Sequence, residues 1–233
     1  MRRPVIATPP AAGFWHRYAA WSLDAALLSA LVPAFTWPRV SAAWQALGAS
    51  AKAAVSGAGA ALADAMMAGI TLPALPDVLL ADPRLAAAAS AMESALWQLC
   101  WPLLLGYALL AAPWHVLGER SRWRGSPGKR AFGIEVVDLH GDTLAPARVA
   151  GRHLASLLSW LTLNLGHLLA AVPPRRQSLH DRIAGARVVV RGDARMPAGA
   201  RLWIALQLVA LSGAIAWWML RYIAALEAAL PAL

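Results

Sequence analysis

Two ionisable residues lie in the first strongly apolar run of the sequence, where a simple membrane anchor needs no charge. Arg17 and Asp24 are seven residues apart, which is about two helical turns and places both on one face, with the aspartate roughly 10 Å further along the axis. The long side chain of Arg17 can extend to the membrane surface, whereas that of Asp24 cannot. Asp24 must therefore be protonated, solvated or paired, which suits a polar lock between helices or a step in an ion or proton path.

The partner of Asp24 has several candidates. Helical side chains tilt toward the N-terminus, so Asp24 leans toward Arg17 and can form a direct or water-bridged pair with it. Arg152 and His153, at the start of a later apolar run, are the alternatives.

A second candidate site follows residues 173–176, whose Pro-Pro-Arg-Arg sequence stops a helix. His180 and Asp181 come next in a basic surrounding that stabilises the charged form of the aspartate. The structural interpretation of Asp181 is a helix cap or a salt bridge that holds the loop. A proton relay through His180 is the alternative.

Lys129 and Arg130 belong to a glycine-rich stretch, residues 125–130, that superficially resembles a phosphate-binding loop. Trp123 stands where that motif has its first glycine, and no Ser or Thr follows Lys129. Nucleotide binding is therefore not expected. We expect these basic residues to contact anionic lipid headgroups, at about 1 kcal/mol each.

The composition is that of a membrane protein. Of the 233 residues, 59% are hydrophobic and 14% charged, and the mean hydropathy is +0.52. The net charge of +9 is concentrated in blocks between apolar runs, which indicates membrane topology and argues against nucleic-acid binding. Cys100 is the single cysteine, and the histidines are scattered, so we expect no disulfide, metal or cofactor and no enzyme activity.

Three runs have the roughly 20 apolar residues that a spanning helix needs: residues 14–37, 97–117 and 202–222. Tryptophans near their ends fit the membrane interface. The first run follows a basic start, as in a signal peptide, but it is long and broken by Asp24. We therefore expect an uncleaved helix.

The distribution of basic residues predicts the topology. Residues 38–95 are nearly neutral, whereas residues 119–153 and residues 173–201 hold seven basic residues each. Both basic blocks should be cytoplasmic, together with the N-terminus, and residues 38–95 should form an external helical insert. We expect Gly57, Gly59 and the prolines at 73 and 76 to interrupt its helices.

The apolar run at residues 149–172 conflicts with this topology, because basic blocks on both of its sides require the same side of the membrane. A single straight span contradicts that requirement. We favour a re-entrant or interfacial helical hairpin, with its bend surrounded by protein.

Two short runs differ from the helical ones. Residues 132–139 and 186–190 are rich in Val and Ile, and a His-Gly-Asp turn at 140–142 follows the first. They predict two strands that pair in a small cytoplasmic β element.

Three motifs occur in one order along the chain: Arg17-x-x-Ala20-x-x-x-Asp24, then Gly-Ser-Pro-Gly-Lys-Arg at 125–130 followed by Val-Val-Asp at 136–138, then Ser178-Leu179-His180-Asp181 followed by Ala184-Gly185. With them the sequence resembles the RDD family of bacterial membrane proteins over about residues 13–191. The family is named for an arginine and two aspartates, which correspond to Arg17, Asp24 and Asp181. The resemblance suggests a part in transport, including cation/proton exchange.

The sequence thus predicts an all-α polytopic protein of the bacterial inner membrane, with three to four membrane helices. It divides into a cytoplasmic N-terminus (1–13), an RDD-type membrane domain (14–191, with the insert at 38–95) and a C-terminal membrane helix (192–233).

The leading hypothesis for the function is ion or small-solute transport with Asp24 as the titratable group. The alternative is a non-transporting accessory or scaffold subunit of a membrane complex, in which Arg17, Asp24 and Asp181 form a polar lock. Because three or four membrane helices enclose little volume, we expect a homo-oligomer or a partner membrane protein in addition to the surrounding lipid.

Overall fold

The protein is represented by a computed structural model that describes residues 9–193 and 195–229, without the side chains of Trp160 and residues 225–229. The first eight residues of the predicted cytoplasmic N-terminus, and residues 194 and 230–233 of the predicted C-terminal segment, lie outside the described residues.

Most of the described chain is helical, since Ala and Leu, both strong helix formers, dominate its long apolar runs. The helices are α1 (Phe14–Met67), α2 (Leu75–Ala81), α3 (Pro83–Arg120), α4 (Pro127–Ala131), α5 (Pro146–Leu161), α6 (Leu165–Leu168), α7 (Leu179–Ala184) and α8 (Ala198–Ala229). Short 3₁₀ turns occupy Leu72–Ala74 and Leu169–Ala171, and the strands are β1 (Ile134–Asp138) and β2 (Ala186–Val190).

The chain forms two compact units. The core unit combines the chain up to Ala26 with the chain from Ala112 onward, and the insert unit consists of Leu27–Ala111. All the residues proposed as sites from the sequence belong to the core unit.

Within the part of the chain that the structure describes, three helices are long and apolar enough to cross a membrane: α1, α3 and α8. They contain the three predicted spans, so the prediction of a helical membrane protein is confirmed. Both α1, with 54 residues, and α3, with 38 residues, are much longer than the roughly 20 residues that a bilayer requires.

In the insert unit, the prediction that Gly57 and Gly59 interrupt a helix is wrong, because α1 continues through both glycines to Met67. Alanine-rich sequence on both sides sustains the helix, and the single glycines are tolerated. Gly57 packs close to Arg84, whose Cβ would lie 3.4 Å from a Cβ added at the glycine. The expected break near residues 73–76 is present, since α1 ends before it and a 3₁₀ turn and α2 follow.

In the core unit, β1 and β2 pair antiparallel, with Ile134 opposite Val190 and Asp138 opposite Ala186. The two runs predicted as strands are therefore strands, and the turn after β1 is held by backbone N–H groups that donate to the Asp138 carboxylate. The strands bury Val136 and Val188 against Ala19 and Ala20 of α1 in one hydrophobic core.

The run at residues 149–172 is not one straight helix. It begins within α5, which ends at Leu161, and continues through a turn into α6 and the second 3₁₀ turn. Asn164 has a φ of 64° in that turn, a left-handed conformation that asparagine tolerates better than most residues. The run therefore folds back on itself, and its relation to the membrane remains a prediction.

Candidate functional site

Asp24 is buried in the core unit, with 1% of its surface exposed. Its carboxylate accepts hydrogen bonds from the indole N–H of Trp114 at 2.8 Å and the backbone N–H of Gly128 at 2.8 Å. The hydroxyl of Ser126 donates a third bond to its other oxygen. The expected pair with Arg17, Arg152 or His153 is therefore wrong, because uncharged donors from distant parts of the chain surround this carboxylate.

Two of these donors come from the glycine-rich stretch that superficially resembles a phosphate loop. Gly128 lies so close to α1 that a Cβ at this position would be 2.2 Å from the carbonyl oxygen of Ala20 and 2.9 Å from Cγ of Asp24. Only a residue without a side chain allows this approach. In this protein the stretch binds a carboxylate of the same chain.

Arg17 does not extend toward solvent, since 13% of its side chain is exposed. It donates to Asp181 at 2.5 Å, to the backbone oxygen of Arg176 at 2.5 Å and to that of Ala12 at 3.0 Å. The sequence motifs that carry Arg17 and Asp181 thus meet, although 164 residues separate them.

Asp181 is the centre of this contact and is fully buried. Besides Arg17, it accepts hydrogen bonds from Nε of Arg152 at 2.9 Å and from the backbone N–H of Ser178 at 3.1 Å, and a second nitrogen of Arg152 lies 2.8 Å away as an ion pair. The bond from Ser178 belongs to a capping box at the start of α7. Both structural roles expected of Asp181, a cap and a salt bridge, are present together.

The charge of Asp181 is stabilised by this surrounding. Burial by itself would raise its pKa, but the guanidinium groups of Arg152 and Arg17 outweigh burial and hold the pKa well below the ordinary aspartate value. Asp181 is therefore a carboxylate throughout the physiological pH range.

Arg152 extends the network to a residue that the sequence interpretation missed. Its guanidinium also binds Glu119, at the end of α3, and Lys129 binds the same carboxylate at 2.7 Å. The resulting chain of contacts, which we name the buried network, is Arg17, Asp181, Arg152, Glu119 and Lys129. A lone acid at the end of an apolar run that leads into a basic block was the available signal for Glu119.

Lys129 and Arg130 have different surroundings. Lys129 is occupied by Glu119 and only 15% of its side chain is exposed, so the expected headgroup contact does not describe it. Arg130 is exposed and places its guanidinium 4.3 Å from the ring centroid of Trp123, within cation–π range.

His180 adjoins the network through its Nε2 atom, which lies 3.2 Å from a nitrogen of Arg152 and 2.9 Å from the hydroxyl of Ser178. Because arginine can only donate, Nε2 must accept and the ring proton sits on Nδ1. Burial, and then the charge of Arg152, lower the pKa of His180 to about 3. His180 is therefore neutral at pH 7, and its Nδ1 has no partner among the described residues.

A further histidine lies beside it, with the ring centroids of His167 and His180 5.0 Å apart. Among residues 9–193 and 195–229, no group of three or more His, Cys, Asp or Glu side chains is arranged to hold a metal ion.

Comparison with known proteins identifies a family and a relative. The family model described as the RDD family matches residues 11–185. The uncharacterised protein YxaI of Bacillus subtilis (strain 168) is 28% identical over 90 residues, which are 39% of this chain and 59% of YxaI. This chain thus aligns with little more than half the length of that relative. No solved structure gives a significant match.

Proposed function

This chain belongs to the RDD family, and we propose that it is a non-transporting accessory or scaffold subunit of the bacterial cytoplasmic membrane, whose buried network is a structural lock. The protein is multi-pass in this proposal, with its N-terminus and both basic blocks on the cytoplasmic side. The observation that carries the proposal is the arrangement around Asp181.

One carboxylate connects three elements of the core unit. Asp181 caps its own helix, α7, and binds Arg17 of α1 and Arg152 of α5. Arg152 also binds Glu119 of α3, which connects a fourth helix to the same group of contacts. A buried charge that loses its partner is strongly destabilising, so these contacts favour one fixed arrangement of the four helices. A fixed arrangement is what a lock provides.

Asp24 supports the same interpretation. A transport site must release its bound cation or proton, whereas the Asp24 carboxylate is occupied by three donors in a buried position. Removing the carboxylate leaves those donors unsatisfied, at about 1–3 kcal/mol for each. Its position therefore suits the attachment of α4 to α1.

The insert unit supports a docking role. Large apolar side chains are exposed near its turn, including Met66 at 73%, Met67 at 80%, Leu72 at 83% and Leu80 at 83%. Exposed apolar side chains of this size favour contact with another protein or with lipid. The proposal assigns this surface to a partner membrane protein or a second copy of the chain.

The test combines ion flux and assembly on the same variants. Wild type, Asp24→Asn and Asp24→Ala are reconstituted into liposomes, and proton and cation flux is compared with empty liposomes. We expect no flux above empty liposomes. Asparagine keeps an acceptor for two of the three donors, whereas alanine keeps none, so the unfolding midpoint in detergent should fall further for Asp24→Ala than for Asp24→Asn.

One result would contradict the structural lock. Wild-type flux that Asp24→Asn abolishes, with folding and oligomeric state unchanged, would replace the lock with a transport mechanism.

Cation/proton exchange is the second candidate, and one observation favours it. Four histidines lie around the buried network: the rings of His115 and His153 are 6.0 Å apart, and those of His167 and His180 are 5.0 Å apart. Neutral histidines near water can pass protons. A flux that survives Asp24→Asn but is lost in His167→Ala and His180→Ala would assign the path to these rings.

A further inference from the structure

Helix α5 is amphipathic in the opposite sense to a helix of a soluble protein. Its buried face carries Arg152 and Ser159 beside Val149 and Ala155. In a soluble domain the apolar stripe faces the core and the polar side faces water. Here the polar groups face inward, where Arg152 reaches Asp181 and Glu119.

The outward face of the same helix is a row of leucines. Leu154, Leu157, Leu158 and Leu161 recur at the spacing of one helical stripe, and Leu161 is 81% exposed. The stripe continues with Leu163 in the turn, which is 87% exposed, and with Leu165 at the start of α6, which is 62% exposed. We name these six residues the leucine face.

The leucine face belongs to a closed hairpin. Gly166, at the start of the returning segment, lies against Ser159 of α5, and a Cβ at the glycine would be 2.3 Å from the serine hydroxyl oxygen. The 16 residues of α5 extend about 24 Å, less than the roughly 30 Å of a bilayer core. The chain reverses before it could cross.

Arginines flank the hairpin on both sides. Arg148 lies in its first turn and Arg175 follows its end, and Arg182 is exposed nearby on α7. Two shallow clefts adjoin Arg182, one lined by Arg148 and the other by Arg175 and Arg187. Among the described ion pairs, none joins these arginines to a carboxylate.

We propose that the hairpin of α5 and α6 inserts its leucine face into one leaflet of the membrane, without crossing it, and that Arg148, Arg175 and Arg182 bind the phosphate groups of anionic phospholipids. The charge pattern identifies the occupant, because apolar side chains between unpaired arginines match acyl chains next to anionic headgroups. The inference is independent of the function proposed above.

Insertion into one leaflet removes the conflict between the apolar run at residues 149–172 and the basic blocks on both of its sides. A hairpin that enters and leaves by the same surface keeps residues 119–153 and 173–201 on one side of the membrane, as their seven basic residues each require.

Single cysteines test the depth of insertion in the full-length protein. Cys100→Ser supplies the background, and Leu161→Cys and Leu163→Cys carry an environment-sensitive fluorophore in liposomes containing phosphatidylglycerol. The matched control is Asp142→Cys, in the exposed turn after β1. Lipids with a nitroxide on the acyl chain should quench both leucine positions strongly and the control little.

An impermeant maleimide supplies the second measurement. Neither Leu161→Cys nor Leu163→Cys should react from either side of the membrane, and Asp142→Cys should react from the side that carries the N-terminus. In phosphatidylcholine alone, or after Arg148, Arg175 and Arg182 are changed together to Gln, quenching at Leu161→Cys should fall at least twofold.

Three outcomes would overturn the proposal. Reaction of a leucine position from the side opposite Asp142→Cys would mean that the run crosses the membrane. Reaction from the same side at the rate of the control would place the hairpin in water. Disulfide cross-linking between Leu163→Cys copies without nitroxide quenching would assign the face to a second copy of the chain.

Discussion

The ion pairs of the described residues form two clusters with similar N–O distances, one of them buried and the other largely exposed. In the core unit, Asp181 binds Arg17 at 2.5 Å and Arg152 at 2.8 Å, and the carboxylate is fully buried. In the insert unit, Arg84 binds Asp64 and Asp82 at 2.7 Å each; the side chains of Arg84 and Asp64 are 43% and 59% exposed, and that of Asp82 is 10% exposed. The distances alone do not distinguish the clusters.

The surroundings determine what each cluster contributes. Water and dissolved ions screen the exposed pairs, and ordering long side chains costs entropy, so their contribution to stability is small. The buried pairs have no solvent to replace a lost partner, which makes their rupture costly. Burial, more than the N–O distance, therefore ranks the described ion pairs by their contribution to stability.

The largest effect is expected from Asp181→Asn. This change leaves Arg17 and Arg152 buried with less compensation, so the free energy of unfolding should fall by about 3–5 kcal/mol. Denaturant unfolding in detergent, followed by circular dichroism, measures the change. Asp142→Asn, at an exposed carboxyl, is the control. An equal loss of stability in both variants would contradict the conclusion that burial determines the effect.

Acid should affect the buried cluster through His180. Its pKa is about 3 in the folded protein against an ordinary 6.5, so between those values the unfolded chain binds a proton that the folded chain does not. Stability should therefore fall as the pH is lowered through this window, by about 1.4 kcal/mol per pH unit for this proton.

Titration of stability between pH 6.5 and pH 5.5 checks this expectation, because Asp181 and Glu119 are ionised there in the folded chain and almost fully ionised in the unfolded chain, so they contribute little slope. His180→Gln keeps an acceptor for Arg152 and should remove the share of the slope that comes from this proton, while His153 and His167, whose pKa values burial also lowers, keep theirs. His140→Gln, in the exposed turn, should not change the slope. An unchanged slope in His180→Gln would show that the ring is already protonated in the folded state.

A smaller loss is expected when packing is changed and the charges are kept. Gly128→Ala forces the added methyl against the carbonyl of Ala20, so α4 must shift from α1, at roughly 1–3 kcal/mol. Gly151→Ala meets nothing within 4 Å in α5 and should be neutral or slightly stabilising. Thermal unfolding of both variants measures the difference. Equal midpoints would mean that the close approach of α4 to α1 contributes nothing to stability.

The smallest effect should come from Arg84→Ala in the exposed cluster. Removing this arginine breaks two ion pairs, but Asp64 is exposed to water and Asp82 keeps the backbone N–H groups of residues 84 and 85, so the unfolding midpoint should change little. Raising the salt concentration should have equally little effect on the wild type. A loss as large as that of Asp181→Asn would contradict the ranking by burial.

Local features of this fold were predictable from sequence. The three spans follow from uninterrupted apolar length, and β1 and β2 follow from short runs of Val and Ile beside turn residues. Each of these elements is predicted from residues that are close together in the sequence. The break expected at Gly57 failed for the same reason, since the alanines around the glycine determine whether a helix continues.

The partners of the charged residues were less predictable. Asp24 binds groups 90, 102 and 104 residues away, which are two neutral side chains and one backbone N–H, and none of them carries a charge signal. Arg17 was expected to pair with Asp24 because they share a helical face, but the carboxylate it binds is Asp181. Spacing on one helix identifies residues that need partners, whereas tertiary packing decides which partners they find.

The contact between Arg17 and Asp181 also constrains the order in which the protein can mature. A ribosome that adds 5–20 residues per second needs on the order of 10–30 s to make the 164 residues between them. During that interval the first helix carries an arginine without its carboxylate. Completion of the buried network is therefore a late event in biosynthesis, and a chain truncated before α7 would leave Arg17 and Arg152 without the carboxylate they share.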